Sequence, residues 1–544
     1  MPRDYRGQRR FTPRYERAPL IQIYCAAPHL VRMLSESTRR TISTRLAAER
    51  GRISKSAPLT VALAYPSPYH VAMSSLGYQR IYRAFMDMPG VCCERAFLPD
   101  ETDRDGETER PVTYETLRGL SDFPIIALSV AYELELAGLI KLLEASGIEP
   151  LRAERGPNAP FILCGGPLTF SNPLPLAAFA DAVVMGEGEG VAEWVIRTIG
   201  ESPSRAAALA QLAEHPNVFV PEHHGDRLAQ IAACDNALLP ATSVIVTPHT
   251  ELSNMFLLEA ERGCSRGCTY CVMRRSTNGG MRIVPQDVVL AAIPHEYHRV
   301  GLVGAAVSDH PKITDIVNAL ADRGCEVGLS SLRPDKLKDD FVGALRRAGY
   351  KTLTTALDGP SERMRNLIER RGREPHYQIA AENARRHGYD RLKLYLMVGL
   401  PGETDEDIDE CVRFVTELSR TIPVALGVAP FCAKRNTPLD RMPYAGIRTV
   451  EARLDRLRRG LRGRADVRNV SAKWAWVEYV LAQGGVPEAL ALYRAVQAGG
   501  QFAAYRREFQ ALGHSPDGRG YAETEAPIAP ERLKHKHLTL ARPS

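Results

Sequence analysis

Two series of short apolar runs, four between residues 59 and 185 and six between residues 255 and 431, alternate with stretches of helical pattern. A continuously apolar run of strand length suits a strand covered on both faces, and strands separated by helices pair in parallel. The alternation therefore points to an α/β architecture. In the first series, residues 59–65, 123–130, 159–165 and 180–185 read as strands, with helices at 78–86 and around 134–145. The expected product is a doubly wound parallel sheet whose ligand crevice lies at the carboxyl ends of its strands. Gly165-Gly166 and Gly186-Glu187-Gly188-Glu189 stand at two of those ends. In the second series, strands start near Met255, Val300, Val327, Leu353, Leu392 and Val424. That is fewer than the eight of a closed β/α barrel. Residues 450–512, rich in Leu, Ala and Arg, read as helical.

The end of the first strand of the second series carries Glu261-Arg-Gly-Cys264-Ser-Arg-Gly-Cys268-Thr-Tyr-Cys271. Thiolates are the soft ligands that iron–sulfur clusters select, and a cubane takes four. Three in one loop leave one iron without a protein ligand, an open site for a substrate or cofactor. A zinc loop would need a second Cys or Cys/His pair close by, and the next cysteine is Cys325. A disulfide within the loop would leave one thiol over. Adjacent His223-His224 point different ways on helix or strand and read as a solvated loop, His535/His537 have no third ligand in view, and Cys432 reads as a buried thiol or a second thiol near substrate.

The CxxxCxxC spacing, with Tyr270 just before the last cysteine, resembles the signature of the radical S-adenosylmethionine (radical SAM) superfamily. The resemblance implies a partial (β/α)6 barrel and a [4Fe–4S] cluster held by Cys264, Cys268 and Cys271, with SAM chelated at the free iron. Tyr270, Met397 and Gly399, the last in Gly399-Leu-Pro-Gly402-Glu403, stand where relatives shape the adenine site. Ser308, Arg333 and Asp358 stand at strand tips that in relatives reach the polar ends of SAM; Asp358 replaces a glutamate of the family pattern. Reductive cleavage of SAM to methionine and a 5′-deoxyadenosyl radical follows, with a flavodoxin- or ferredoxin-type electron donor. The first half is similar to the cobalamin-binding-type domain that precedes many radical SAM domains. Tyr65-Pro66, Met73-Ser74, Leu76-Gly77, Tyr132-Glu133-Leu134, Gly165-Gly166-Pro167 and Gly186 to Glu189 carry that likeness. The Asp-x-His-x-x-Gly motif that ligates cobalamin is missing, and His70 lacks its flanking residues. Two readings stay open: base-off cobalamin, or a scaffold without it.

The division expected is a basic N-terminal extension (1–57), a cobalamin-binding-like doubly wound domain (58–200) and a connector (201–250). A radical SAM partial barrel (251–445) and a helical C-terminal region with an extended tail (446–544) follow. Hydrophobic residues at 44% and charged residues at 25% are those of a globular chain. The eleven cysteines form no disulfide framework and no apolar run is long enough for a bilayer, so the expected compartment is the cytoplasm. A net charge of +6 over 544 residues neither demands nor excludes nucleic acid. Six arginines interleaved with Tyr5, Phe11 and Tyr15 in residues 1–17 suit either an RNA-gripping arm or a solvated tail. After hydrogen abstraction the chemistry is open between modification of an unknown substrate and cobalamin-dependent methyl transfer. A non-catalytic iron–sulfur redox protein is the alternative of a different class.

Overall fold

The computed structural model describes residues 34–100, 109–274 and 280–518. The arginine-rich arm and the His535/His537 pair lie outside the described residues. Six strands form the first sheet: β1 (Leu59–Pro68), β2 (Val91–Leu98), β3 (Ile125–Ser129), β4 (Phe161–Gly165), β5 (Ala182–Val184) and β6 (Val218–Phe219). Their spatial order is β2-β1-β3-β4-β5-β6, parallel throughout except for β6 against β5. The chain steps from β1 out to β2 and returns to β3 on the other side of β1. Such a reversal opens a crevice over the carboxyl ends of β1 and β3.

Side chains of these strands alternate between two cores, as the pleat requires. Ala62, Ala64, Ile126 and Leu128 face the helix Glu135–Ala145, through Leu139 and Leu143. Val61, Leu63, Ile125 and Ala127 face the helix Leu76–Asp87, through Tyr78, Tyr82 and Phe85. β2 was not expected from the sequence, because Glu94 and Arg95 interrupt its apolar run. Both are buried and both are paired. Arg95 is bound by Glu49 at 2.7 and 2.8 Å and by Glu115 at 2.6 Å. Glu94 accepts from Thr113 and Thr116. The stretch read as a connector contributes the helix Arg205–Ala213 and strand β6 to this first sheet.

The second half begins with β7 (Phe256–Glu259), then an antiparallel pair, β8 (Glu261–Arg262) with β9 (Arg282–Ile283). Next come β10 (Arg299–Val303), β11 (Glu326–Leu329), β12 (Thr352–Asp358), β13 (Arg391–Val398), β14 (Val424–Pro430) and β15 (Ala465–Asn469). They form two parallel sheets, β11-β10-β7 and β12-β13-β14-β15. The six strands expected are present. β15 corrects the all-helical reading of 450–512. It is a sheet edge of half-exposed and exposed residues with Asp466 and Arg468 paired outward, so it lacks the apolar run that marks an interior strand.

Three helices, Ala472–Gln483, Val486–Gln497 and Phe502–Ala511, close the described chain. Trp476 is buried among them against Phe502 and Phe509. This region joins the halves. Asn172 Nδ2 donates to the carbonyls of Leu481, Ala482 and Gly484, and Asn436 Nδ2 donates to Phe170 O. Lys434 Nζ lies between Glu133 at 2.6 Å and Glu478 at 2.7 Å. Glu133, Phe170 and Asn172 follow carboxyl ends of first-sheet strands, and Lys434 and Asn436 follow β14. The carboxyl ends of the two halves therefore face each other. Among the described residues no helix is long and apolar enough to cross a membrane.

Candidate functional site

The three cysteines lie in a loop closed at its base by β8 and β9. Ala260 N donates to Val303 O and Val284 N to Ala260 O, tying the stem to β7 and β10. Gly263 closes the stem in the left-handed region (φ +86°), where a Cβ would stand 2.1 Å from Gly280 O. No other residue type fits that position. Beyond the stem the loop is seated by backbone bonds: Thr269 N donates to Ile368 O, and Leu439 N to Thr269 O. Arg266, between the first two cysteines, makes a two-pronged contact with Asp309 at 2.7 and 2.8 Å and reaches Asp335 at 3.4 Å.

Cys264, Cys268 and Cys271 are free thiols. Burial pushes Cys264 up and Cys271 to about 12, each raised further by its cysteine neighbours. Crowded thiols become good ligands when a metal supplies the positive charge that stabilises the thiolates. Among the described residues no three His, Cys, Asp or Glu side chains converge as ligands of a single ion. Thiols that each serve a different iron of a cubane need not converge in that way. The donor set fits an iron–sulfur cluster.

Around the loop stand the strand tips. Glu261 is fully buried; its Oε1 accepts from Ala306 N at 2.7 Å, its Oε2 has no partner among the described residues, and burial raises its carboxyl to about 7. Ser308 is buried, with Oγ accepting from Arg333 N at 3.0 Å. Arg333 contacts Asp335 at 3.1 Å and Asp309 at 3.8 Å. Burial alone would raise Asp309, but its hydrogen bonds with Arg266 and the nearby Arg266 and Arg333 charges hold it below the usual range. Asp358 has φ +62° and pairs with Arg370 at 2.7 Å. Tyr270 and Met397 pack on one apolar cluster with Met364, Ile368, Leu400 and Phe431. Gly399 (φ +83°) donates its N–H to Glu403, which also receives Leu400 N–H and pairs with Arg453 at 3.0 Å. Cys432 Sγ donates to Ala475 O at 3.1 Å, as a buried structural thiol would.

The structure thus brings all nine sequence-predicted residues to one end of the second half: the three cysteines with Tyr270, Ser308, Arg333, Asp358, Met397 and Gly399. Ser308, Arg333 and Asp358 are already engaged with protein partners. Sequence reasoning missed Glu261, Arg266, Asp309's pairing and Arg370. Glu261 and Arg266 could have been suspected from their places in the cysteine loop; Arg370 carries no local signal.

A cavity of about 270 Å³ lies at the carboxyl ends of the first sheet. Leu63, Tyr78, Ile81, Phe85, Leu163 and Val184 make apolar walls, while Glu259, Arg262 and Met273 bring the cysteine-loop region to its rim. Among the described residues no histidine lines it, and His70 sits apart beside Asp100.

Residues 77–221 match the family of radical SAM proteins, N-terminal, and residues 259–415 match the radical SAM superfamily. An uncharacterised protein of Methanocaldococcus jannaschii is 30% identical over 332 residues, covering 59% of this chain and 69% of that one. The ribosomal protein uS12 methylthiotransferase RimO of Geobacter sulfurreducens is 26% identical over 34% of this chain and 44% of its own length. The chain thus spans less than half of that relative. The structure of the cobalamin-dependent SAM radical enzyme OxsB with aqua-cobalamin bound matches 68% of this chain and 53% of its own. That match has 13% identity and a TM-score of 0.47. The chain belongs to the radical SAM superfamily. It is an enzyme of that class, whose cofactors are a [4Fe–4S] cluster and SAM and which draws on an electron donor.

Proposed function

We propose that Cys264, Cys268 and Cys271 hold the cluster and that the tips of β10–β13 hold SAM for hydrogen abstraction from an as yet unidentified substrate. The observation that carries this reading is the placement of three free thiols in one stem-closed loop among those tips. When bound, the cluster supplies the electron that splits the SAM sulfonium into methionine and a 5′-deoxyadenosyl radical. Tyr270 and Met397 offer apolar surface to the adenine, and the Gly399 turn, fixed by Glu403, lets backbone approach it. Ser308, Arg333 and Asp358 would meet the amino-acid and ribose ends of SAM. A substrate held between the facing carboxyl ends of the two halves would be screened from water, which would protect a radical. A flavodoxin- or ferredoxin-type donor and a cytoplasmic setting suit a chain with free thiols.

The apolar cavity supports a second reading, a cobalamin-dependent radical methyltransferase with the corrinoid in the first-sheet crevice. With no histidine at the cavity among the described residues, that corrinoid would be held base-off. The arginine- and tyrosine-rich arm supports RNA as a substrate class, and the name of the methylthiotransferase relative adds the translation machinery to the candidates. The deciding experiment is anaerobic reconstitution with iron, sulfide, SAM and dithionite, assayed for 5′-deoxyadenosine and S-adenosylhomocysteine with and without cobalamin. Deoxyadenosine formation is expected. S-adenosylhomocysteine only when cobalamin is added would select the second reading. A bound cluster with neither product would turn the assignment toward a redox protein.

A further inference from the structure

Arg262 and Arg282 face each other directly across the β8–β9 pair that closes the cysteine loop. Like charges directly opposite on paired strands oppose pairing, and here both side chains are mostly buried. One carboxylate bridges them. Glu187, which follows β5 of the first sheet, places Oε2 3.2 Å from Arg262 Nη1 and pairs through Oε1 with Arg282 Nη2. Its Oε2 also accepts from Cys234 N at 2.8 Å, which fixes the side chain. Arg262 is held further by Glu189 at 2.9 Å and by Glu259 at 2.6 Å. Glu259 and Glu189 bear on the β8 side, and Arg282 makes its other bond to the neutral Cys234 carbonyl at 2.8 Å. Glu187 alone of these three carboxylates reaches both strands of the stem.

We propose that Glu187 is a positioning residue for the cysteine loop, a clamp from the first sheet that lets the β8–β9 stem close. The inference rests on the assignment of the three cysteines as cluster ligands. The Gly-Glu-Gly-Glu segment is then the means by which one half sets the geometry of the other half's cofactor loop. Gly186 (φ +80°) serves the same end. A Cβ there would stand 2.6 Å from Ala232 O, so glycine allows the segment to turn toward the stem.

The test uses the full chain, wild type, Glu187→Gln and Glu187→Gln/Arg282→Gln. Hydrogen exchange of the metal-free protein, read on peptides covering the stem, is paired with iron retention after reconstitution and gel filtration. Loss of a charge-assisted contact across a small stem should speed stem exchange about tenfold or more in Glu187→Gln, with β1 and β3 unchanged and less iron retained. Removing one of the two facing guanidiniums should return the double variant toward wild type in both measurements. A single variant that fails to fold while the double variant folds supports the clamp equally. Wild-type exchange in Glu187→Gln, or a double variant no better than the single one, overturns it. The metal-free exchange reads the clamp by itself. If Cys268→Ala retains as much iron as wild type, the cluster assignment fails instead.

Discussion

At the carboxyl ends of β1, β3, β4 and β5 the walls are mainly hydrocarbon, and the carboxylates at the rim, Glu187, Glu189 and Glu259, are all paired with arginine. At the ends of β7 and β10–β12 the same strand–loop–helix construction presents the opposite surface. Cysteine thiols, the buried Glu261 carboxylate and the Arg266–Asp309–Arg333 network stand together there. The first crevice presents shape and apolar surface, the second charges and thiols. One architecture serves both because strand-end loops carry the chemistry while the apolar strands carry the fold.

The largest effect expected is on the second crevice. Cys268→Ala should lower iron retention and 5′-deoxyadenosine formation to background while urea unfolding of the metal-free chain barely changes. Full activity in that variant would erase the distinction between the crevices.

The next effect belongs to the first half. Glu135 follows β3, is buried, and accepts from Ala131 N and Ser67 Oγ, but burial still raises its carboxyl from 4.5 to about 7. The folded state thus binds a proton that the unfolded chain releases. Its contribution is fully present below about pH 4.5 and is lost as pH rises toward 7, about 3 kcal/mol in all. Glu135→Gln should flatten this dependence in urea titrations between about pH 5 and about pH 8. A wild-type-minus-variant difference that does not change with pH would refute the assignment.

Gly304→Ala tests how tightly the second crevice is built. The new Cβ would stand 2.1 Å from Glu261 Oε1 and displace the acceptor of Ala306 N. A loss of about 2 kcal/mol is expected in urea unfolding; a loss within the error of that measurement would mean the crevice yields. Gly77→Ala is the counterpart in the first crevice. Gly77 lies in a helix with nothing within 4 Å of a Cβ, so alanine should stabilise by up to about 1 kcal/mol. Thermal unfolding reads the sign, and destabilisation would show that the cavity wall is less open than its geometry.

Much of this was readable in order along the chain. β1, β3 and β4 announce themselves as apolar runs because both their faces are covered, whereas β12 and β13 bury one face fully and announce themselves by alternation. The three cysteines announce their chemistry because a loop ligand set is local. β2 did not, since its Glu94 and Arg95 are neutralised by residues from other loops. β6 is too short, and β15, at an edge, has no continuous apolar run.

The sequence by itself determined the α/β class, the two series of strands and the presence of a three-cysteine loop, because each depends on residues close together in the chain. Tertiary structure decided that the carboxyl ends of the two halves face each other. It also decided that the first-sheet cavity meets the cysteine-loop region, and that Glu187 reaches across to Arg262 and Arg282. Those facts depend on charges and surfaces far apart in sequence, whose pairing is fixed only when burial removes water and leaves the charges only each other as partners.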